Sequence, residues 1–139
     1  MSKKRPQAAV PRVHVLDSEA LSKAVRGDRA MIARIVVAAE LDAVVVTSPM
    51  TVVEAHDGRT SAHRWDWVLS RLVVADLGKE QARAARRLLT SAGLHGHKYA
   101  IDAVLAVVAN DQPGEVTVYT SDVDDLTRMV DPRVVVQTV

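Results

Sequence analysis

The sequence contains no cysteine and no phenylalanine, and its aromatic residues are limited to Trp65, Trp67, Tyr99 and Tyr119. Without thiols there can be neither a disulfide nor a thiolate metal centre. Any metal would have to be held by oxygen or histidine ligands, which favours a hard ion. With so few aromatic faces, an extended platform for stacking nucleic-acid bases is not expected. No apolar run approaches the ~20 residues needed to cross a bilayer, and Met1-Ser2-Lys3-Lys4-Arg5-Pro6 is followed by no signal-peptide core. The expectation is a cytoplasmic protein with no membrane partner. Strong charge imbalance is also missing. The formal net charge is +1, too small to announce nucleic-acid binding, although Lys3, Lys4, Arg5 and Arg12 make the leading segment locally basic.

A chain of 139 residues is sized for one domain that buries roughly 68% of its unfolded surface. Residues 1–12 read as a flexible basic segment, and residues 13–139 as the domain. Within it, Val13 to Leu16 is a short apolar strand, and Ser18 to Arg26 a helix that Gly27 can end. From Asp28, Met31, Ile35 and Ala38 form an apolar stripe with Ile32, Val36 and Ala39 beside it, giving a helix to about Leu41. Val44-Val45-Val46-Thr47 is a continuous run of the kind found in a parallel sheet covered on both faces. Ser48-Pro49 opens a short helix carrying Glu54. After a polar break at 56–60, Trp65, Val68, Leu69 and Leu72 mark another helix, which leads into a strand from Leu72 to Ala75.

Lys79 to Ser91 is an Ala- and Arg-rich helix ending at Gly93, with its arginines on a solvated face. Tyr99 to Ala109 is a further helix, apolar almost all round. A fourth strand runs from Val116 to Thr120, a helix starts at Val123, and Val134 to Thr138 makes a fifth strand. Strands alternating with helices predict a single three-layer α/β domain: a five-stranded parallel sheet flanked by helices.

Two strands deliver an aspartate to a strand-to-helix junction. Val-His-Val-Leu ends at Asp17, and Val-Thr-Val-Tyr-Thr-Ser ends at Asp122, with Asp124 and Asp125 following. Either aspartate suits a helix cap. Strand C-termini are also where open parallel sheets bind ligands. Asp102 is the one charge in Tyr-Ala-Ile-Asp-Ala-Val-Leu-Ala-Val-Val-Ala, on a stripe with Ala106 and Ala109. An unpaired carboxylate there is costly, so it calls for an arginine partner, a proton or a cation. Glu54 alone is an ordinary surface glutamate.

Taken together, Asp17, Glu54, Asp102 and Asp122 can form an acidic pocket. Two like charges ~4 Å apart repel by ~4 kcal/mol near a protein surface, so such a pocket holds protons unless a cation is bound. Oxygen ligands alone suit Mg2+ or Mn2+, and such ions support in-line hydrolysis of phosphodiesters.

The order Val-Leu-Asp17-Ser-Glu-Ala-Leu, Val-Val-Glu54-Ala, Ile-Asp102-Ala and Tyr-Thr-Ser-Asp122-Val-Asp-Asp-Leu resembles a PIN domain, specifically the VapC-type toxin ribonucleases, from Val13 to Val139. The resemblance implies a PIN-like fold and a Mg2+- or Mn2+-dependent endoribonuclease, the toxin of a type II toxin–antitoxin pair. Asp17, Glu54, Asp102 and Asp122 would be the metal-binding and catalytic acids, with Asp125 an additional acid. Ser18, Thr120 and Ser121 would be supporting hydroxyls. It further implies an RNA substrate, a cognate VapB-like antitoxin and a homodimer.

Arg64 and Lys98 could reach substrate phosphate if their helices open at the site. His95-Gly96-His97 reads as a solvated turn rather than a metal clip, and His14, His56 and His63 as core-edge or surface residues. Two other readings compete. One is a catalytically inactive PIN-fold module that binds RNA or a protein partner. The other is a phosphoacceptor signalling domain, which would want a lysine in its last strand where Val-Val-Val-Gln has none.

Overall fold

The computed structural model describes residues 10–139, so Lys3, Lys4 and Arg5 of the leading segment lie outside it. The elements alternate as the apolar periodicities require. They are β1 (Arg12–Leu16), α1 (Ser18–Arg26), α2 (Arg29–Glu40), β2 (Val44–Thr47), α3 (Pro49–Glu54), α4 (Ala62–Ser70) and β3 (Val73–Val74), followed by α5 (Lys79–Ala92), α6 (Gly96–Asn110), β4 (Glu115–Thr120), α7 (Val123–Thr127) and β5 (Val135–Thr138). All strand pairs are parallel, in the order β3-β2-β1-β4-β5. The chain builds outwards from β1 in one direction through β2 and β3. It then returns to the other side of β1 with β4 and β5. The order therefore reverses between β1 and β4, where an open α/β sheet offers a crevice at its strand C-termini.

Side chains alternate across each strand and so feed two cores. Val13 and Val15 of β1, Val46 of β2 and Val116 and Val118 of β4 pack with Ala103, Leu105 and Ala106 of α6, Ala85 of α5 and Leu126 of α7. On the opposite face, Leu16, Val45 and Tyr119 pack with Ala20, Leu21 and Val25 of α1, Met31 and Ile35 of α2 and Val68 of α4. The result is three layers, helix on sheet on helix. Helices cover both faces of the central strands, and β2 accordingly reads as a near-continuous valine run.

The differences from expectation lie at the edges. The strand anticipated from Leu72 to Ala75 is reduced to Val73–Val74, both exposed, as is common for an edge strand. The last strand starts at Val135 rather than Val134, which is instead buried in the core. α6 begins three residues before Tyr99, so His95-Gly96-His97 is not a free turn. His95 is the N-cap residue, and Gly96 and His97 begin the first turn. Arg12, read as part of the leading segment, is the first residue of β1, its guanidinium 3.6 Å from Glu115 of β4. Beside it, Gly114 adopts a left-handed conformation (φ 78°) with Pro11 against its Cα, and the Glu115 N–H donates to the Pro11 carbonyl at 2.8 Å.

Candidate metal centre

β1 and β4 are hydrogen-bonded neighbours, with Leu16 opposite Tyr119, so the aspartates that follow them emerge side by side. Asp17 is 4% exposed. It caps α1, with one carboxylate oxygen accepting the Ala20 N–H at 2.8 Å. The other oxygen accepts the Ser121 N–H at 3.0 Å. Burial pushes the Asp17 carboxyl above the ordinary carboxylate range. The N–H groups of Ala20 and Ser121 and the Thr120 hydroxyl act in the opposite direction, and the Asp122 charge adds to the rise.

Asp122 behaves differently. It occupies the N-cap position of α7, but its side chain makes no capping hydrogen bond. Its own N–H donates instead to Thr120 Oγ1 at 2.8 Å. That bond turns the chain at the end of β4. Asp125 follows three residues later, one helical turn on and so on the same side. Asp102 enters from the second turn of α6. The carboxylate oxygens of Asp102, Asp122 and Asp125 lie within 4.8 Å of one another. Asp125, anticipated only as an additional acid, is one of the three.

Asp102 is the electrostatic focus. It is half-buried and makes no ion pair among the described residues, so the arginine partner is not there. Its carboxyl is pushed up to about 6, first by burial and then by the charges of Asp122, Glu54, Asp17 and Asp125. Four acids thus act on one point. Asp17 and Glu54 are not in the close group: Asp17 is engaged by backbone N–H groups, and Glu54 is exposed at the end of α3. α3 packs against both α1 and α6. Glu54 and Ser18 share a shallow cavity of about 420 Å3 with Ser22 and His56.

A set of oxygen donors this close, with one carboxyl already biased towards holding a proton, fits a hard divalent cation such as Mg2+ or Mn2+. Asp102, Asp122 and Asp125 could ligate it directly. Asp17 and Glu54 could act through water or by small side-chain movements.

The remaining anticipated residues have structural engagements. Thr120 is buried and serves as the acceptor for Asp122 N–H. Ser121 is exposed and contributes its backbone N–H to Asp17. Arg64 Nη1 donates to the Arg26 carbonyl at 2.7 Å, closing the C-terminus of α1. Lys98 lies exposed on the first turn of α6 with Nζ 5.2 Å from the Tyr99 ring centroid.

Two polar residues went unnoticed in the sequence. Thr47 is fully buried and donates from Oγ1 to the Leu16 carbonyl at 2.8 Å, fixing the end of β2 against the residue before Asp17. Thr51 is fully buried, one turn before Glu54, with its hydroxyl unpartnered among the described residues. The signal for both was a threonine at the inward position of an otherwise apolar pattern.

The sheet order also separates this fold from the phosphoacceptor reading, since the flavodoxin-like arrangement runs 2-1-3-4-5 and this one runs 3-2-1-4-5. No family model matches the sequence, and no curated protein matches it. Among solved structures, a chain in the crystal structure of VapBC2 from Rickettsia felis bound to a DNA fragment from their promoter is similar. Its TM-score is 0.65 at 14% identity, over 91% of this chain and 98% of that one. That likeness is one of fold: a single α/β domain with a five-stranded parallel sheet flanked by helices, similar to a VapC PIN domain.

Proposed function

We propose that the protein is a Mg2+- or Mn2+-dependent endoribonuclease that hydrolyses RNA phosphodiester bonds, acting as the toxin of a toxin–antitoxin pair with a VapB-like antitoxin. The observation that carries this reading is the convergence of carboxylates on Asp102 at the point where the strand order reverses. Four acids around the half-buried carboxyl of Asp102 destabilise the ionised pocket, and a cation offsets that repulsion. The VapBC2 likeness supports the toxin assignment through fold alone.

In this reading Asp102, Asp122 and Asp125 hold the ion, and Asp17 and Glu54 complete the negative pocket. The bound ion supplies a polarised water and stabilises charge on the phosphate. Asp17 orients the turn at Ser121 so that Asp122 faces Asp102. Thr120 sets that turn from within the sheet. A carboxylate not occupied by the ion, Glu54 or Asp17, accepts the proton of the attacking water. Ser18, half-buried at the start of α1, is available for a hydrogen bond to substrate.

The test is cleavage of a mixed RNA pool by the purified chain with Mg2+ or Mn2+, against EDTA and an Asp17→Asn variant. Cutting that requires the ion and disappears in both controls is expected. If the protein binds Mn2+ yet leaves RNA intact in every condition, the nuclease reading is lost and a non-catalytic binding module takes its place.

A further inference from the structure

Charge is unevenly spread over this chain. α5 carries Lys79, Arg83, Arg86 and Arg87 against Glu80, a surplus of three positive charges. The whole chain has net charge +1, so everything outside α5 sums to −2. The helix buries Ala85 and packs Leu88, Leu89 and Ala92 towards the core. At 3.6 residues per turn, the arginines at 83, 86 and 87 and Thr90 fall on its outer side. Arg83, Arg86 and Arg87 line an open groove of about 500 Å3 with Thr90 and Ser91. Arg83 is paired with Glu80 at 3.0 Å, both exposed, a contact worth little in water. Among the described residues, Arg86 and Arg87 make no ion pair.

Two attachments tie the C-terminal end of α5 to the helices that carry the acids. Leu89 lies against Gly96 at the start of α6, the helix that carries Asp102. Arg128 at the end of α7 donates from Nη2 to the Ala92 carbonyl, and α7 opens with Asp122 and Asp125. An acidic pocket repels a polyanion, so a substrate of phosphates needs positive charge nearby to be held there at all. Arginine is the side chain suited to this, because its planar fork donates two hydrogen bonds to one phosphate.

We propose that the outer arginine face of α5 is the track on which the RNA phosphate backbone lies while the scissile phosphate is at the acids; this rests on the nuclease reading above. Arg86 and Arg87 are the principal contacts, and Arg83 joins them by exchanging Glu80 for phosphate.

The experiment uses the full chain carrying Asp122→Asn, so that RNA stays uncut, and a labelled single-stranded oligouridylate as probe, with affinity followed against KCl in Mg2+. Adding Arg83→Gln, Arg86→Gln and Arg87→Gln together is expected to weaken binding about tenfold and to lower the slope of log Kd against log salt by about 2, at ~0.7 per phosphate contact. The matching triple lysine variant keeps most of that slope. In the chain with Asp122 intact, the glutamine variant raises KM and leaves kcat unchanged. If the glutamine variant binds RNA as its Asp122→Asn parent does while the chain with Asp122 intact cuts RNA, the track is overturned and the nuclease reading stands. The arginine face would then suit an acidic protein segment instead. If the Asp122→Asn chain does not bind RNA and the chain with Asp122 intact does not cut it, both fall.

Discussion

The carboxylate of Asp17 accepts the backbone N–H of Ser121 at 3.0 Å across 104 positions of sequence. One oxygen ties the end of β1 to the end of β4 while the other caps α1. A residue that would bind a metal is therefore also a structural bracket. The two roles separate by substitution. Asp17→Ala should cost roughly 2–3 kcal/mol, through loss of the cap and an orphaned buried N–H. Asp17→Asn keeps an acceptor for one of the two N–H groups and should cost about 1 kcal/mol less. RNA cleavage should fall at least about a hundredfold in both. Urea denaturation beside a cleavage assay reads this, and an active Asp17→Asn would reduce Asp17 to a cap.

Asp102 predicts the pH dependence. Its carboxyl is raised from 3.8 to about 6 in the folded chain. Between those values the folded state keeps a proton that the unfolded state has released, so metal-free stability declines as pH rises from about 4 through about 6. Above that window the pocket is charged and strained, and Mn2+ should raise the melting temperature by several degrees at pH 7.5 but hardly at pH 4.5. Thermal melts at both pH values, with and without Mn2+, check the sign. Asp102→Asn should abolish the difference. It should also raise metal-free stability at neutral pH by on the order of 1 kcal/mol, after allowance for solvent screening.

Removing the nearest strong influence on Asp102 should be visible directly. With Asp122→Asn, the Asp102 carboxyl should titrate lower than in the parent, because Asp122 is the leading charge acting on it. Carbon-detected NMR titration of the side-chain carboxyl measures this, and calorimetry should show Mn2+ affinity reduced by about tenfold or more. An unmoved Asp102 titration would mean that the two carboxylates do not share a site.

Gly114 offers a prediction about the fold alone. Its φ of 78° disfavours any side chain, and a Cβ there would collide with the Pro11 carbonyl. Since that carbonyl accepts the Glu115 N–H that starts β4, Gly114→Ala should cost roughly 3 kcal/mol. Chemical denaturation is the readout, and the loss should be the same in the presence of EDTA.

The central strands were legible because their inward positions are β-branched and apolar, as at Val13 and Val15 of β1, Val45 and Val46 of β2 and Val116 and Val118 of β4. The edge strand β3 was overread because Leu72 packs into the core beside α4, and Ala75 keeps only a single backbone bond, from its N–H to the Thr47 carbonyl, beyond the paired residues. The start of α6 was hidden because His-Gly-His carries no capping side chain and glycine disfavours helix. For the acids, the sequence supplied the residues but not their division of labour. Asp17 and Asp122 follow equivalent strands, yet only Asp17 caps its helix. The Asp122 carboxylate makes no capping bond, and its N–H turns back to the Thr120 hydroxyl. No periodicity could have shown this, because it depends on the hydroxyl of a buried threonine. Nor could the sequence give the order 3-2-1-4-5, which follows from which faces are covered after the helices pack.

The reversal of strand order between β1 and β4 also bears on when the pocket exists during synthesis. Asp102, Asp122 and Asp125 lie within the final 38 residues, and β4, which brings two of them beside β1, pairs across about a hundred residues of chain. A nascent polypeptide that has emerged only as far as β3 presents Asp17 and Glu54 but no carboxylate cluster. Whatever chemistry the cluster supports therefore waits until α6 and β4 have been made and β4 has paired with β1.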